Sequence, residues 1–185
     1  MFDGFVNLTA AVAAVEPDAT EDALVTRIAE LELLKAAAAA GQARAAAALE
    51  VSRRAAEAAS GMPTHRQGRG LGAEVALARS DSPVHGGRHL GFAKALVYEM
   101  PNALSALERG VLSEWRATIV VRESACLDVD DRRALDTELC GHDANLIGVG
   151  DRRLAAAAKA IAYRLDPHAV VDRAAGAKAE RSITS

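Results

Sequence analysis

Ser82, His85, Arg88 and His89 stand close together in the stretch "SDSPVHGGRHLGFAK" at 80–94. A guanidinium can fork onto the hydrogen-bonding edge of a guanine, and hydroxyl and imidazole groups can donate to phosphates or base edges. Arg66, Arg69 and Arg79 precede this group and Lys94 follows it. Residues 61–94 therefore hold five basic side chains against two acidic ones, together with three of the five histidines. Residues 1–35 are the reverse, with seven acids and two bases, in a chain whose net charge is −3. A basic stretch inside an acidic chain is the footprint of a phosphate-contacting segment. It is also the pattern of an ordinary solvated helix face.

These side chains need elements to position them. A short helix is expected over 71–79, a turn over 80–82, and a longer helix from Pro83 to about Glu99, with Ser82 as N-cap and Pro83 as first helical residue. That is the order of a helix-turn-helix, whose second helix enters the major groove and reads with its first turns. On such a helix Val84, Leu90, Ala93 and Val97 fall on the inner side, while Ser82, His85, Arg88 and His89 fall on the exposed N-terminal half. Lys94, further along, suits backbone contact or solvent. Arg66, Arg69 and Arg79 are placed to hold phosphates.

The rest of the 185 residues also reads as helix. Half of the chain is hydrophobic, much of it Ala, and aromatics are only 3 %, so β-branched and aromatic strand formers are thin. Thr20 before Glu21 and Asp22 is a helix start. Leu24, Ile28 and Leu31 continue it, and the pattern runs to about Ser60, stopped by Gly61 and Pro63. A helix this long needs a companion helix or a second copy of the chain along its length. Pro101 starts a helix that ends near Gly110, Ser113 caps the one containing Trp115, and Asp128 opens one that ends near Cys140. Asp151 opens another with Leu154, Ala158, Ile161 and Leu165 inward, and Asp166-Pro167 a last one carrying Val170. The expected class is all-α, with about eight helices: a long N-terminal helix plus a helical bundle containing the helix-turn-helix. Three segments are expected, 1–62 with the long helix, 63–125 with the helix-turn-helix and 126–185 with the C-terminal helices.

Other chemistries are poorly supported. Asp128, Asp130, Asp131, Asp136 and Glu138 are interleaved with Arg132 and Arg133, the pattern of a salt-bridged surface rather than of acid–base catalysis. Cys126, Cys140 and His142 fit no closed zinc spacing, and "GVGDRR" at 148–153 lacks the rest of a dinucleotide fingerprint. No enzyme centre, metal or cofactor is expected. The absence of a basic n-region, of a long apolar run and of paired cysteines leads us to expect a cytoplasmic protein with reduced thiols and no membrane partner.

Two resemblances sharpen the reading. The run "LVYEMPNALSALERGVLSEWRATIV" at 96–120 resembles the segment that follows the helix-turn-helix in ParB-type partition proteins. By that resemblance Trp115 packs the Ser113-capped helix against the back of the helix-turn-helix; the other reading of the ring is an exposed stacking or partner contact. The Ala-rich long helix, "GRGLGAEVALARSDSP", "GRHLGFAKAL", "RGVLSEWRATIVVRESACL" and "GVGDRRLAAAAKAIAYRLDPHAVVDRA" together resemble the 13E12 repeat family. Its members carry domain of unknown function family 222, usually ahead of a C-terminal HNH endonuclease domain. The resemblance implies DNA transactions and mobile or repeated genetic elements.

The sequence departs from that family in two ways. The histidines and zinc-ligand pairs of an HNH centre are not found before Ser185, so the expectation is a DNA-binding accessory or regulatory part without the nuclease centre. Gly86-Gly87 stands where the family usually has small helix formers, at a cost of roughly 1 kcal/mol each in a helix interior. A frayed first turn is expected, ordered only on DNA or marking a decayed copy, and Asp81 in the turn would repel phosphate. Double-stranded DNA is the expected partner, with a homodimer through the long helix. The alternative is a helical oligomerisation or protein-interaction module with a vestigial helix-turn-helix.

Overall fold

This computed structural model describes residues 2–171, with side chains from residue 7 onward. The described residues are all-α. Helix α1 spans Phe2–Ala13 and α2 spans Glu21–Ala59. They are followed by α3 at Leu71–Ala78, α4 at Gly86–Lys94, α5 at Pro101–Glu108 and α6 at Glu114–Glu123. Last come α7 at Val129–Cys140 and α8 at Asp151–Leu165. The expected last helix starts at 167 and is helical through 171, the last described residue, with the Asp166 carboxylate accepting from the amides of His168 and Ala169, both at 2.9 Å.

Caps set most of these boundaries. Thr20 Oγ1 accepts the Ala23 amide at 3.3 Å, Ser113 Oγ that of Arg116 at 3.3 Å, and Asp128 Oδ1 that of Asp131 at 2.9 Å. Each satisfies an amide that the first turn leaves without a helical partner. Between α1 and α2 the Arg27 guanidinium donates to the carbonyls of Ala11 and Val12, at 3.2 and 3.0 Å. A cation there complements the negative end of α1.

The two halves of α2 differ. Ala36, Ala39, Ala40, Ala43 and Ala47 form a buried stripe at helical spacing, and these small side chains let α4 and α5 approach closely. The N-terminal half lies outside that core and leaves Leu24, Val25, Ile28, Leu33 and Leu34 exposed. The core joins the α2 stripe to Ala93 and Leu96, to Leu104 and Leu107 of α5, to Val120 of α6, and to Leu135, Leu139 and Leu154 beyond. No helix among the described residues is long and apolar enough to cross a membrane.

The helix expected over 83–99 is present without a break, but its winding changes along it: a 3-10 turn at Pro83–His85, α4, and a π-helical turn at Ala95–Glu99. Two local expectations, for Val84 and Trp115, are overturned. The tighter winding of the first piece carries Val84 off the inner side, and it is 81 % exposed. Trp115 is not core: the ring is 57 % exposed and its Nε1–H donates to Asp151 Oδ2 at 3.0 Å. Two residues after the cap, it lies on the outer side of α6, while Ala117 and Val120 supply the buried side.

Asp136 does not belong to a charged surface. It is completely buried, with Oδ2 accepting the Asn102 backbone and side-chain N–H groups at 2.8 and 2.9 Å, and Oδ1 the Ala103 amide at 2.8 Å. It caps α5 from a neighbouring helix. Of the other acids of that run, Asp128 and Asp130 are exposed, Asp130 bonds Arg133, Glu138 bonds Arg164, and Asp131 is half-buried. Burial pushes the Asp136 carboxyl up from its ordinary value, against the opposing pull of those three donors.

Candidate nucleic-acid interface

Helices α3 and α4 cross with their backbones in contact, and glycine makes the contact possible. A Cβ built on Gly86 would lie 1.9 Å from the Gly72 carbonyl oxygen, and one on Gly72 3.1 Å from the Gly86 carbonyl carbon. Gly86 is therefore a packed residue and not a frayed one. Gly87 beside it faces open space. The turn between the helices closes α3 with two hydrogen bonds, from the Asp81 amide to the Ala76 carbonyl at 2.8 Å and from the Ser80 amide to the Leu77 carbonyl at 3.0 Å. Ser80 takes the left-handed conformation, φ +56°, that this helix-ending motif requires.

The loop before α3 is anchored on the C-terminal turns of α2. Glu57 accepts the Gly68 amide at 2.6 Å, and the Gln67 side chain donates to the Met62 carbonyl at 2.9 Å. Gly68 and Gly70, with φ near +74° and +82°, complete the turn into α3. Arg66 and Arg69 sit on this anchored loop, exposed, and in no ion pair among the described residues. Arg88, on the first turns of α4, is exposed and equally unpaired among them.

Two other expected phosphate contacts are already engaged. Arg79 bonds Glu114 Oε1 at 2.6 Å and Gln42 Oε1 at 2.5 Å, tying the end of α3 to α6 and α2. Lys94 bonds Glu50 Oε1 at 3.1 Å, and Arg54 bonds the same oxygen at 2.9 Å. Burial pushes the Glu50 carboxyl up, but the hydrogen bonds from Lys94 and Arg54 outweigh it and hold the group below its ordinary value. Lys94 thus fastens α4 to the long helix through Glu50 while its side chain stays partly in solvent.

The histidines carry the least expected geometry. His85 Nδ1 lies 2.9 Å from Asp81 Oδ1, and His89 Nε2 lies 2.7 Å from Asp81 Oδ2. The Ser82 amide adds a third donor at 2.7 Å, while the Ser82 side chain is exposed and makes no capping bond. Hydrogen bonds from His89, His85 and the Ser82 amide hold the Asp81 carboxyl far below the usual carboxylate range. A cleft lined by Asp81, His85, Arg88, His89, Glu114 and Thr118 separates this group from α6. Among the described residues no group of three or more His, Cys, Asp or Glu side chains is placed to hold a metal.

The structure therefore brings Ser82, His85, Arg88 and His89 to one end of α4, as expected, and adds two residues. Val84 is an exposed apolar side chain beside His85, suited to a thymine methyl. Asp81 is the centre of the histidine cluster, and its spacing of four and eight residues from the two rings was the visible signal. The chain matches no protein-family model, no curated protein and no solved structure.

Proposed function

We propose that this chain is a duplex-DNA-binding module, an accessory or regulatory part of a 13E12-type, HNH-associated protein, without a nuclease centre of its own. The observation that carries the reading is the glycine-mediated crossing of α3 and α4, which presents Arg88, His85 and Val84 at the start of the second helix. Arg88 is the base-reading candidate, and Arg66 and Arg69 on their anchored loop are the phosphate contacts. Arg79 and Lys94 support the motif from within.

Fluorescence anisotropy of a labelled duplex, titrated at several salt concentrations, tests this. Binding is expected to weaken as salt rises, with a slope of roughly 0.9 per phosphate neutralised. Arg66→Ala with Arg69→Ala should reduce that slope by about two contacts. A folded Arg88→Ala, His89→Ala variant should lose binding. Absence of binding by the native chain at low salt would remove the reading.

The exposed Leu24, Val25, Ile28, Leu33 and Leu34 favour a second reading, a helical interaction module that self-associates through the N-terminal half of α2. It predicts a concentration-dependent mass that falls when Leu24, Ile28 and Leu31 are made polar. A dimeric DNA binder satisfies both.

A further inference from the structure

A carboxylate can only accept hydrogen bonds, so each imidazole nitrogen facing ionised Asp81 must carry a proton. A neutral imidazole has one N–H. At His85 that N–H sits on Nδ1 and at His89 on Nε2, both spent on Asp81. The second nitrogens, His85 Nε2 and His89 Nδ1, are then acceptors. Phosphate oxygens are acceptors too, so in this state neither ring can donate to DNA. The cluster meanwhile carries the net negative charge of Asp81.

We propose that Asp81 is a built-in gate on anion binding by α4: it occupies the donors of His85, His89 and the Ser82 amide, and the two rings become phosphate donors only on protonation or when Asp81 is removed. Protonation gives each ring a second N–H, on the nitrogen that does not face Asp81, and turns the formal charge of the cluster from −1 to +1. Histidine makes this change between about pH 5 and 8. The gate rests on the DNA-binding reading for its biological target, but its chemistry is that of any phosphate.

The charged surroundings are few. From α4 itself Arg88 lines the same cleft, and from α6 Glu114 does so, already paired with Arg79 of the α3 end. Glu74 of α3, which with His89 lines the hollow on the other side of α4, is forked by Arg53 of α2 at 2.9 and 2.7 Å. Both acids are thus neutralised by their own partners. Asp81 is the acid that meets the two rings directly, so its removal and their protonation should act on the same property.

The test is duplex affinity of the intact chain, by anisotropy at about pH 8 and about pH 5.5. The native chain should bind more tightly at the lower pH. Asp81→Asn should bind about tenfold more tightly than the native chain at the higher pH, the effect of one added hydrogen bond to a charged group, and should gain less at the lower. His85→Gln with His89→Gln should lose most of the pH response. Unchanged or weaker binding by Asp81→Asn at the higher pH, or a full pH response in the double histidine variant, would overturn the gate.

If no variant binds duplex at low salt, the DNA reading fails, and inorganic phosphate followed by imidazole NMR signals decides the gate alone. Phosphate-dependent shifts of His85 and His89 in Asp81→Asn but not in the native chain, at about pH 8, would sustain it. An equal response in both, or none in either, would overturn it.

Discussion

Gly86 rests on the backbone of Gly72 so closely that a single added methyl would fall 1.9 Å from the Gly72 carbonyl oxygen. That atom is backbone in a packed helix and cannot swing aside, so Gly86→Ala must push α3 and α4 apart. We expect a loss of about 1–3 kcal/mol, the range for overpacked sites. Gly87→Ala meets open space and should instead stabilise by about 0.5–1 kcal/mol through the unfolded chain and helix propensity. Urea midpoints of the two variants check the opposite signs, and equal effects would contradict the packed crossing.

This pair of glycines also shows what could be read from the chain and what could not. The starts of α2, α6 and α7 were legible because Thr20, Ser113 and Asp128 act on amides three residues away. Gly86 was misread as a weak point because its reason lies in Gly72, on another helix. Trp115 was misread because its outward turn depends on where Asp151 arrives, 36 residues later. The burial of Asp136 did have a signal: it shares an inner face with Leu139 and Cys140 three and four residues on. Charge was allowed to outweigh period there. At the candidate interface the Ser82-Pro83 start placed His85, Arg88 and His89 on one helical stretch, and the spacing of four and eight residues from Asp81 was a signal, but that both rings bond one carboxylate needed the geometry.

Asp136 should be among the most sensitive polar positions. Asp136→Ala leaves the Asn102 and Ala103 amides at the start of α5 without acceptors in a buried site. The expected loss is about 2–3 kcal/mol, combining a lost cap with buried unsatisfied donors. Asp136→Asn retains one acceptor oxygen and should lose less. Chemical denaturation orders the three proteins, and a neutral Asp136→Ala would show that α5 is capped by other means.

The two thiols should differ in reactivity. Cys140 is buried, and its burial, aided by the nearby Asp136 carboxylate, pushes the thiol up to about 12. Cys126 is half-buried. Since the thiolate is the nucleophile, a disulfide reagent applied to the folded protein near neutral pH should titrate Cys126 and spare Cys140. Both should react in denaturant. Fast labelling of Cys140 in the folded state would place the C-terminal end of α7 outside the core.

Acid should reveal the bonds around Asp81 through stability alone. Its carboxyl is held well below the ordinary value of 3.8 by His89, His85 and the Ser82 amide. A group depressed on folding contributes stability that is complete above its unfolded value and disappears as pH falls through its folded one. The native chain should therefore lose stability between about pH 5 and pH 2 more steeply than Asp81→Asn, which has no proton to take up there. Above that window Asp81 is ionised in the folded and unfolded chain alike, so its carboxyl adds no further slope there. Parallel curves through the acid window would mean that Asp81 is free of its two partners in solution.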